Sequence, residues 1–202
     1  MNKKRQKLPA SFFLRPDVVA ISRELLGKGL FTRINRGAVT GGIIVETEAY
    51  AGPHDCASHA YNGRISRRTA VMYRPGPVAY VYLCYGLHWL FNVITNIEGV
   101  PHAVLIRAIQ PVAGLALMLK RRGKNRAAGL TSGPAMLARA LGICGRHSGV
   151  SLLGNEIWLE EGRRVSPEMI CAVPRIGVDY AGKDALRPWR FYLRGNPWVS
   201  RN

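Results

Sequence analysis

Apolar residues fall along this chain in short runs, and the residues that interrupt these runs predict where helices begin and end. Pro16-Asp17 precedes an apolar segment that Gly27 closes. This pattern predicts a helix, because proline and aspartate favour helix starts and glycine favours helix ends. The same signals predict a second helix from Ser132-Gly133-Pro134 to Leu141, with Gly142 as its stop.

Runs of β-branched and aromatic residues predict strands. The run that ends at Thr47 is rich in isoleucine and valine, which indicates burial on both faces. A short helix is expected from Ser66 to Met72, and another from Leu115 to Leu119. Strands are expected at residues 29–34, 39–47, 78–83, 88–95, 104–109 (ended by Pro111), 157–159 and 176–178.

These elements predict one mixed α/β domain, because no repeat, low-complexity tract or linker divides the chain. A chain of 202 residues is long enough to bury a core of its own. Residues 1–10 are expected to form a flexible basic arm, and residues 11–202 to form the domain. No run of about 18 apolar residues occurs, so no membrane span is predicted.

The charge balance narrows the expected partners. Lysine and arginine number 29 against 12 acidic residues, which gives a net charge of +17. Such a surface favours nucleic acid or an anionic membrane. The four cysteines form no C-x-x-C pair, so they predict neither a zinc site nor a disulfide framework, and a reducing cytosol fits them best.

A first cluster of chemically capable residues follows the second strand. Glu46 and Glu48 lie two apart, hence on one face of the strand, with Tyr50 and His59 shortly after them. A strand end beside a Gly-Pro turn is a common place for a catalytic group. Two solvated carboxylates are the simpler alternative. A metal site formed by Glu48, His54, Asp55 and His59 is a weaker alternative, because the spacing of the two histidines is not typical of zinc.

A second cluster lies in the predicted hairpin. Tyr80 and Tyr82 alternate onto one face, whereas Tyr85 falls out of that parity and is expected to project from the turn. A three-residue connection would pair Tyr82 with Leu90 and Tyr80 with Asn92. A two-residue connection would place Tyr82 and Asn92 on opposite faces. Tyrosines that merely fill the core are the alternative.

Arginines occur where they could act on a site or on a phosphate. Arg107 lies among apolar strand residues, so we expect it to have a partner or to face a site, although a surface-facing arginine fits the spacing equally. Arg64 and Arg68 lie in the polar stretch between the two clusters. The basic run at residues 120–126 is expected to be a solvated loop that can also touch phosphates.

At these residues the chain resembles the alkyladenine DNA glycosylase family, the mammalian type of 3-methyladenine DNA glycosylase, from about Phe13 to Ser200. The most specific parts are Glu-Thr-Glu-Ala-Tyr at residues 46–50 and Tyr-Val-Tyr-Leu-Cys-Tyr-Gly at residues 80–86. Further matching positions are His59, Gly63-Arg64, Phe91-Asn92, Leu105 to Ala108, Ser132 to Pro134 and Arg175 to Gly177.

The resemblance implies a single domain of mixed α+β class, with an antiparallel-rich curved sheet, surrounding helices and a protruding β-hairpin that probes the minor groove. It implies a monofunctional base-excision-repair glycosylase that flips alkylated purines out of double-stranded DNA and hydrolyses the N-glycosidic bond. No metal or cofactor is expected. The implied lesions are 3-methyladenine and 7-methylguanine, with hypoxanthine and ethenoadenine as further ones. We expect a monomer in the cytoplasm with the nucleoid, or wherever the genomic DNA lies.

The resemblance also implies a role for individual side chains. Glu48 falls at the position of the carboxylate that activates water, and Arg107 at the arginine that helps hold that water. Tyr50, His59 and Tyr82 fall at the walls that enclose the extruded base.

The remaining implied roles concern recognition of the base and of the duplex. Asn92 falls at the residue that excludes the exocyclic amine of guanine, and Tyr85 at the side chain that fills the gap left in the helix. Arg64 and Arg68 are expected to contact DNA. A non-enzymatic nucleic-acid-binding module is the alternative, but it does not explain the presence of Glu48, His59 and Arg107 together. A metal-dependent nuclease is a third interpretation.

Overall fold

A computed structural model describes residues 6–201 of the chain and shows a mixed α+β fold, as the sequence predicts. Within these residues, eight antiparallel strands form one sheet that does not close on itself. The strands are β1 (Gly29–Thr32), β2 (Thr40–Tyr50), β3 (Val78–Cys84), β4 (His88–Thr95), β5 (His102–Ala113), β6 (Ile157–Glu160), β7 (Ile170–Val173) and β8 (Arg190–Leu193).

Four α-helices and several short 3₁₀ segments complete the described part of the chain. The helices are α1 (Ala10–Phe13), α2 (Val18–Glu24), α3 (Leu115–Arg122) and α4 (Pro134–Leu141). The 3₁₀ segments are Ile34–Arg36, Gly52–His54, Tyr61–Gly63, Ala70–Tyr73, Gly145–His147, Pro167–Met169 and Asp179–Leu186. No helix within residues 6–201 has the length and apolarity needed to cross a membrane.

Strand β2 is the centre of the sheet. The order is β3-β4-β5-β2-β1-β6, and β8 pairs with both β2 and β7. One edge of β2 therefore pairs with β5, while the other pairs first with β1 and then, at residues 46–48, with β8. Burial of both faces of β2, predicted from its isoleucines and valines, is confirmed.

The apolar core lies between this sheet and the helices. Helix α2 packs on β2, and α4 packs on β4 and β5. The side chain of Asp17 accepts a hydrogen bond from the backbone N–H of Ala20, so it caps α2 as expected for an N-cap aspartate. Thr47 donates to the carbonyl of Ser22, which shows that the odd-numbered face of β2 is turned towards α2. The even-numbered face is left for the carboxylates.

The hairpin has the three-residue connection. Tyr82 is opposite Leu90 and Tyr80 is opposite Asn92, so these four side chains share one face of the β3–β4 pair. Helix α4 also matches its prediction, and the residue after it, Gly142, has the left-handed backbone conformation typical of a helix end.

Three sequence predictions are wrong in their limits. Strand β5 continues through Pro111, because the β2–β5 register shifts there and no ladder N–H is needed. Helix α3 includes Lys120 to Arg122, since basic residues are favourable in the last turn of a helix. Residues 66–72 form a turn followed by a 3₁₀ segment in place of a helix.

One strand prediction fails in the C-terminal part of the chain, and two strands there were missed. Residues 176–178 form no strand, whereas β7 and β8 were not predicted, because four-residue strands with polar and aromatic positions carry little periodic signal.

Of the arm expected at residues 1–10, residues 1–5 lie outside the described part. Lys7 bridges to Glu160, and Leu8 is buried.

Candidate active site

Two buried carboxylates on β2 share one arginine on β5. Glu46 and Glu48 are both fully buried. The Nε of Arg107 donates to Oε1 of Glu46 at 2.8 Å, and its Nη1 lies 3.1 Å from Oε1 of Glu48. The alternative of solvated carboxylates is therefore wrong, and Arg107 has partners in place of a surface position. Ionised groups at this depth are stable only when they are paired and hydrogen-bonded.

Glu46 is held from the C-terminal end of the chain. Its carboxylate accepts from Nη1 of Arg190 at 3.0 Å and from both the backbone N–H and the hydroxyl of Ser200, at 2.7 and 2.9 Å. Arg190 also donates to the carbonyl of Arg201. These donors fix the carboxylate of Glu46, and Glu46 in turn orients Arg107 towards Glu48. The orientation of Arg107 therefore depends on Arg190 and Ser200, which lie far away in sequence.

Glu48 is oriented by two further donors. Its Oε1 accepts from the backbone N–H of Ile176 at 2.8 Å, and its Oε2 accepts from the hydroxyl of Tyr50 at 2.8 Å. Burial and then the charge of Glu48 raise the pKa of Tyr50 well above its usual range, so Tyr50 remains a phenol that donates. The backbone N–H of Ile176 is thus bonded to Glu48, and residues 176–178 form no strand.

A cavity of about 230 Å³ lies next to the residues that hold Glu48, whose own carboxylate is fully buried behind the cavity wall. Tyr50, Arg107 and Ile176, which all contact Glu48, form part of its wall. The other residues that the sequence nominated for base binding also line it: His59, Tyr82 and Asn92. The fold therefore brings together residues from β2 to β5 and from two loops around one small volume.

Aromatic rings form one side of the cavity. The rings of Tyr80 and Tyr82 lie 5.4 Å apart and nearly parallel, and His59 meets Tyr82 edge-on at 4.6 Å. The Nδ1 of His59 lies 2.8 Å from the hydroxyl of Tyr80. Burial raises the pKa of Tyr80 to about 12, so that hydroxyl keeps its proton.

His59 is neutral at physiological pH. Burial, followed by the charges of Arg68 and Arg64, lowers its pKa to about 4. Both arginines are exposed and close enough to act on this ring. A neutral imidazole beside a cluster of tyrosines forms a wall that does not repel a positively charged ring.

Asn92 also lines the cavity. It is buried on β4, and its side-chain Nδ2 donates to the carbonyl of Tyr80 at 3.2 Å. This bond restrains the amide where it contacts the cavity. The amide of Asn92 can therefore contact the edge of a bound ring only within a narrow range of positions.

The tip of the hairpin projects from the mouth of the cavity. Tyr85 is 89% exposed, has a positive φ of 50° and lines the cavity edge. Its projection from the turn, predicted from its parity, is confirmed. Tyr180, which the sequence did not nominate, is also exposed at this edge and donates to the carbonyl of Ala57 at 3.2 Å.

A second buried ion pair supports the wall behind Tyr50. Arg175 makes a two-pronged contact with Asp55 at 2.6 and 2.8 Å and lies 4.8 Å from the centre of the Tyr50 ring. It also donates to the carbonyl of Ala49. Asp55, considered above as a metal ligand, thus holds a guanidinium, and residues 6–201 contain no group of three or more candidate metal ligands.

Comparison with known proteins assigns the chain to a family. Residues 11–197 match the family model described as methylpurine-DNA glycosylase (MPG). The chain belongs to the methylpurine-DNA glycosylase family. Membership in this family confirms the enzyme class expected from the sequence, a DNA glycosylase of DNA repair, over the alternative of a non-enzymatic binding module.

Curated relatives support the assignment of this chain to the glycosylase family. A protein of Chlamydia felis is 47% identical over 188 residues, which cover 92% of this chain and 95% of the relative. A protein of Clostridium acetobutylicum is 43% identical, covering 96% and 97%. A protein of Bacillus licheniformis is 41% identical over the whole of both chains. All three carry the provisional name 3-methyladenine DNA glycosylase.

The site of this glycosylase is held together by contacts that the sequence did not predict. Glu46 was recognised as sharing a face with Glu48, but not as the anchor of Arg107. Arg190 and Ser200 gave no signal, because they reach Glu46 only after β8 has paired with β2. Arg175 belonged to the family resemblance, but its partner Asp55 lies 120 residues away.

We expect Glu46→Gln to lower the free energy of unfolding by about 3 kcal/mol, because it removes the charge that balances two buried guanidinium groups. Urea unfolding measures this change. The control is Glu24→Gln, since Glu24 pairs with Arg15 at the surface, where the side chains are 47% and 39% exposed. It should cost no more than about 1 kcal/mol. Similar small losses in both variants would show that Glu46 is not an anchor.

The depressed pKa of His59 predicts a pH-dependent stability. Between its ordinary value of 6.5 and about 4, the unfolded chain binds a proton at His59 that the folded chain does not. Stability should therefore fall as the pH is lowered through this window, by at most about 1.4 kcal/mol per pH unit. Unfolding of the wild type and of His59→Gln at pH 7 and pH 5 isolates the effect; equal losses in both proteins would contradict it.

Proposed function

We propose that this glycosylase extrudes alkylated purines, first among them 3-methyladenine, from double-stranded DNA and hydrolyses their N-glycosidic bond. The provisional names of the relatives support the substrate class. The observation that carries the proposal is the buried Glu48–Arg107 pair directly behind an aromatic cavity, with the exposed Tyr85 at the mouth. The acting unit is a monomer, since one chain supplies every residue named, and it acts wherever the genomic DNA lies.

The proposed chemistry requires extrusion of the base. Glu48 is fully buried, so a base stacked inside a duplex has no route to its carboxylate. Enzymes that act on a base take it out of the stack at a cost of a few kcal/mol, least for a damaged pair. Insertion of Tyr85 into the vacated position offsets part of this cost. Arg64 and Arg68, exposed near the cavity, hold the strand by its phosphates.

The cavity selects bases that carry positive charge. Alkylation at N3 or N7 gives a purine a formal positive charge, and the faces of Tyr50 and Tyr82 attract such a ring by about 0.5–2 kcal/mol. His59 is neutral at physiological pH, so it adds no repulsion. Asn92 disfavours the exocyclic amine of guanine by contact with the ring edge, and normal guanine, unlike 7-methylguanine, has no positive charge to offset this cost.

The chemistry is attack of water at C1′ with Glu48 as the base. The C1′–N bond breaks and its electron pair leaves with the purine, which neutralises the positive charge of the lesion. The C1′–O bond forms as Glu48 accepts a proton from the water. The ionised carboxylate also stabilises the oxocarbenium-like transition state. Arg107, Tyr50 and the Ile176 N–H fix the direction in which that carboxylate points.

This mechanism ranks the substrates. 3-Methyladenine and 7-methylguanine leave as neutral bases and need no proton from the enzyme. Hypoxanthine and ethenoadenine are neutral before cleavage and leave as anions unless they are protonated. We therefore propose that they are slower substrates of the same site.

Base release from methylated duplex DNA in the presence of EDTA tests the proposal. The wild type should release 3-methyladenine and leave an intact abasic strand. Glu48→Gln should bind lesion DNA as before but excise at least about 100-fold more slowly, because it cannot accept the proton. Retained excision by the variant would exclude Glu48 as the base. Strand cleavage that EDTA abolishes would indicate a nuclease instead.

We expect Tyr85→Ala to weaken binding to lesion DNA more than binding to undamaged DNA, because the lost stacking is worth about 1–3 kcal/mol only when the base is extruded. Titration of both duplexes measures the two affinities. Leu87→Ala is the matched control, since Leu87 is 75% exposed on the same tip but is not a tyrosine at the cavity edge. Equal losses on the two duplexes would remove the role proposed for Tyr85.

A further inference from the structure

The hairpin separates two cavities. Tyr82 and Leu90 are paired on the face that lines the base cavity, whereas Leu83 and Trp89 are paired on the opposite face. A second groove of about 440 Å³ lies on that opposite side and shares no lining residue with the base cavity. It is lined by Leu87, His88, Trp89, Arg122, Ala135, Met136, Arg139, Gly142, Ile143 and Cys144.

This groove, which we term the rear groove, has an unbalanced positive charge. Arg122 at the end of α3 donates through Nε to the carbonyl of Leu130, and Arg139 on α4 donates through Nε to the carbonyl of Arg121. Neither guanidinium is paired with a carboxylate in the described part of the chain. Burial and then the charge of Arg139 lower the pKa of Arg122, so the two cations disfavour each other. An anion between them would relieve this cost.

The position of the rear groove indicates which anion it could bind. Leu87 lines the groove, is 75% exposed and lies two residues from Tyr85 at the tip. A hairpin whose tip enters a duplex has a sugar-phosphate backbone on each side of it, because both strands flank the groove that it enters. The base cavity occupies one side of the hairpin. The rear groove lies where the backbone on the other side would run.

We propose that the rear groove binds the sugar-phosphate backbone of duplex DNA, with Arg122 and Arg139 on its phosphates. The inference rests on the proposed function, since it requires the hairpin tip to enter DNA. It adds a second surface that keeps the duplex in place while the base is held on the opposite face of the hairpin. This contact carries no sequence information, as is usual for phosphate contacts.

A remote pair of arginines provides a matched control. Arg163 and Arg164 are exposed and line two larger grooves near Ile43. Ile43 and Tyr50 lie seven residues apart on β2, which corresponds to about 23 Å along a strand. Removal of these two charges changes the net charge equally, but far from the hairpin tip.

The first test is the salt dependence of binding to undamaged duplex DNA. Each phosphate contact contributes about 0.9 to the slope of log K against log salt. Arg122→Gln with Arg139→Gln should therefore lower the slope by about 1.8, whereas Arg122→Lys with Arg139→Lys should keep it. Arg163→Gln with Arg164→Gln should change it much less and retain excision. Equal slopes in the two Gln double variants would overturn the proposal.

The second test uses the unmodified protein. Cys144 lines the rear groove, whereas Cys171 lies on β7 at the far edge of the sheet. Undamaged duplex DNA should slow alkylation of Cys144 by iodoacetamide, measured by peptide mass spectrometry, and leave Cys171 unaffected. Equal rates at Cys144 with and without DNA would overturn the proposal. Because neither test requires excision, failure of the base-release assay would count against the proposed function alone.

Discussion

The structure depends on one buried ionic network, in which Arg107 connects Glu46 to Glu48. A carboxylate pair without cations would not remain ionised in this interior, and an isolated guanidinium would be equally costly. Arg190 and Ser200 complete the coordination of Glu46, so the charge is balanced and Arg107 keeps one orientation. Glu48 consequently has one orientation behind the cavity wall that Tyr50, Arg107 and Ile176 form, which is the condition for its proposed chemistry.

The sheet is arranged around this network. Strand β2 carries both carboxylates on the face turned away from α2, and its register with β5 shifts on both sides of Glu46. Those irregularities lie at the point where β8 joins β2 and brings in Arg190. Bulges next to active sites commonly re-aim side chains in this way. The C-terminal segment then closes over Glu46, so the last residues of the chain support a site that begins at residue 46.

The hairpin connects the proposed chemistry with the surface that we propose for DNA. One face carries Tyr80 and Tyr82 towards the base cavity, and the tip carries Tyr85 out of it. The opposite face borders a groove with two arginines that lack carboxylate partners among the described residues. A single two-stranded element thus separates a neutral aromatic surface, suited to a cationic base, from a basic surface suited to phosphates. A net charge of +17 draws the whole protein to DNA.

The sequence by itself determined the elements whose signals are local: the helix caps at Asp17 and Gly142, the buried strand β2, and the hairpin with Tyr85 outside its parity. Its specific motifs also nominated the residues of the cavity wall, and the fold brings them together. Only the tertiary structure decided which partner each buried charge has. The contacts of Glu46 with Arg190 and of Asp55 with Arg175 span more than 100 residues, and no local pattern encodes a pairing across that distance. Hydrophobic periodicity predicts which face is buried, whereas the partner of a buried charge is chosen when strands from both ends of the chain meet.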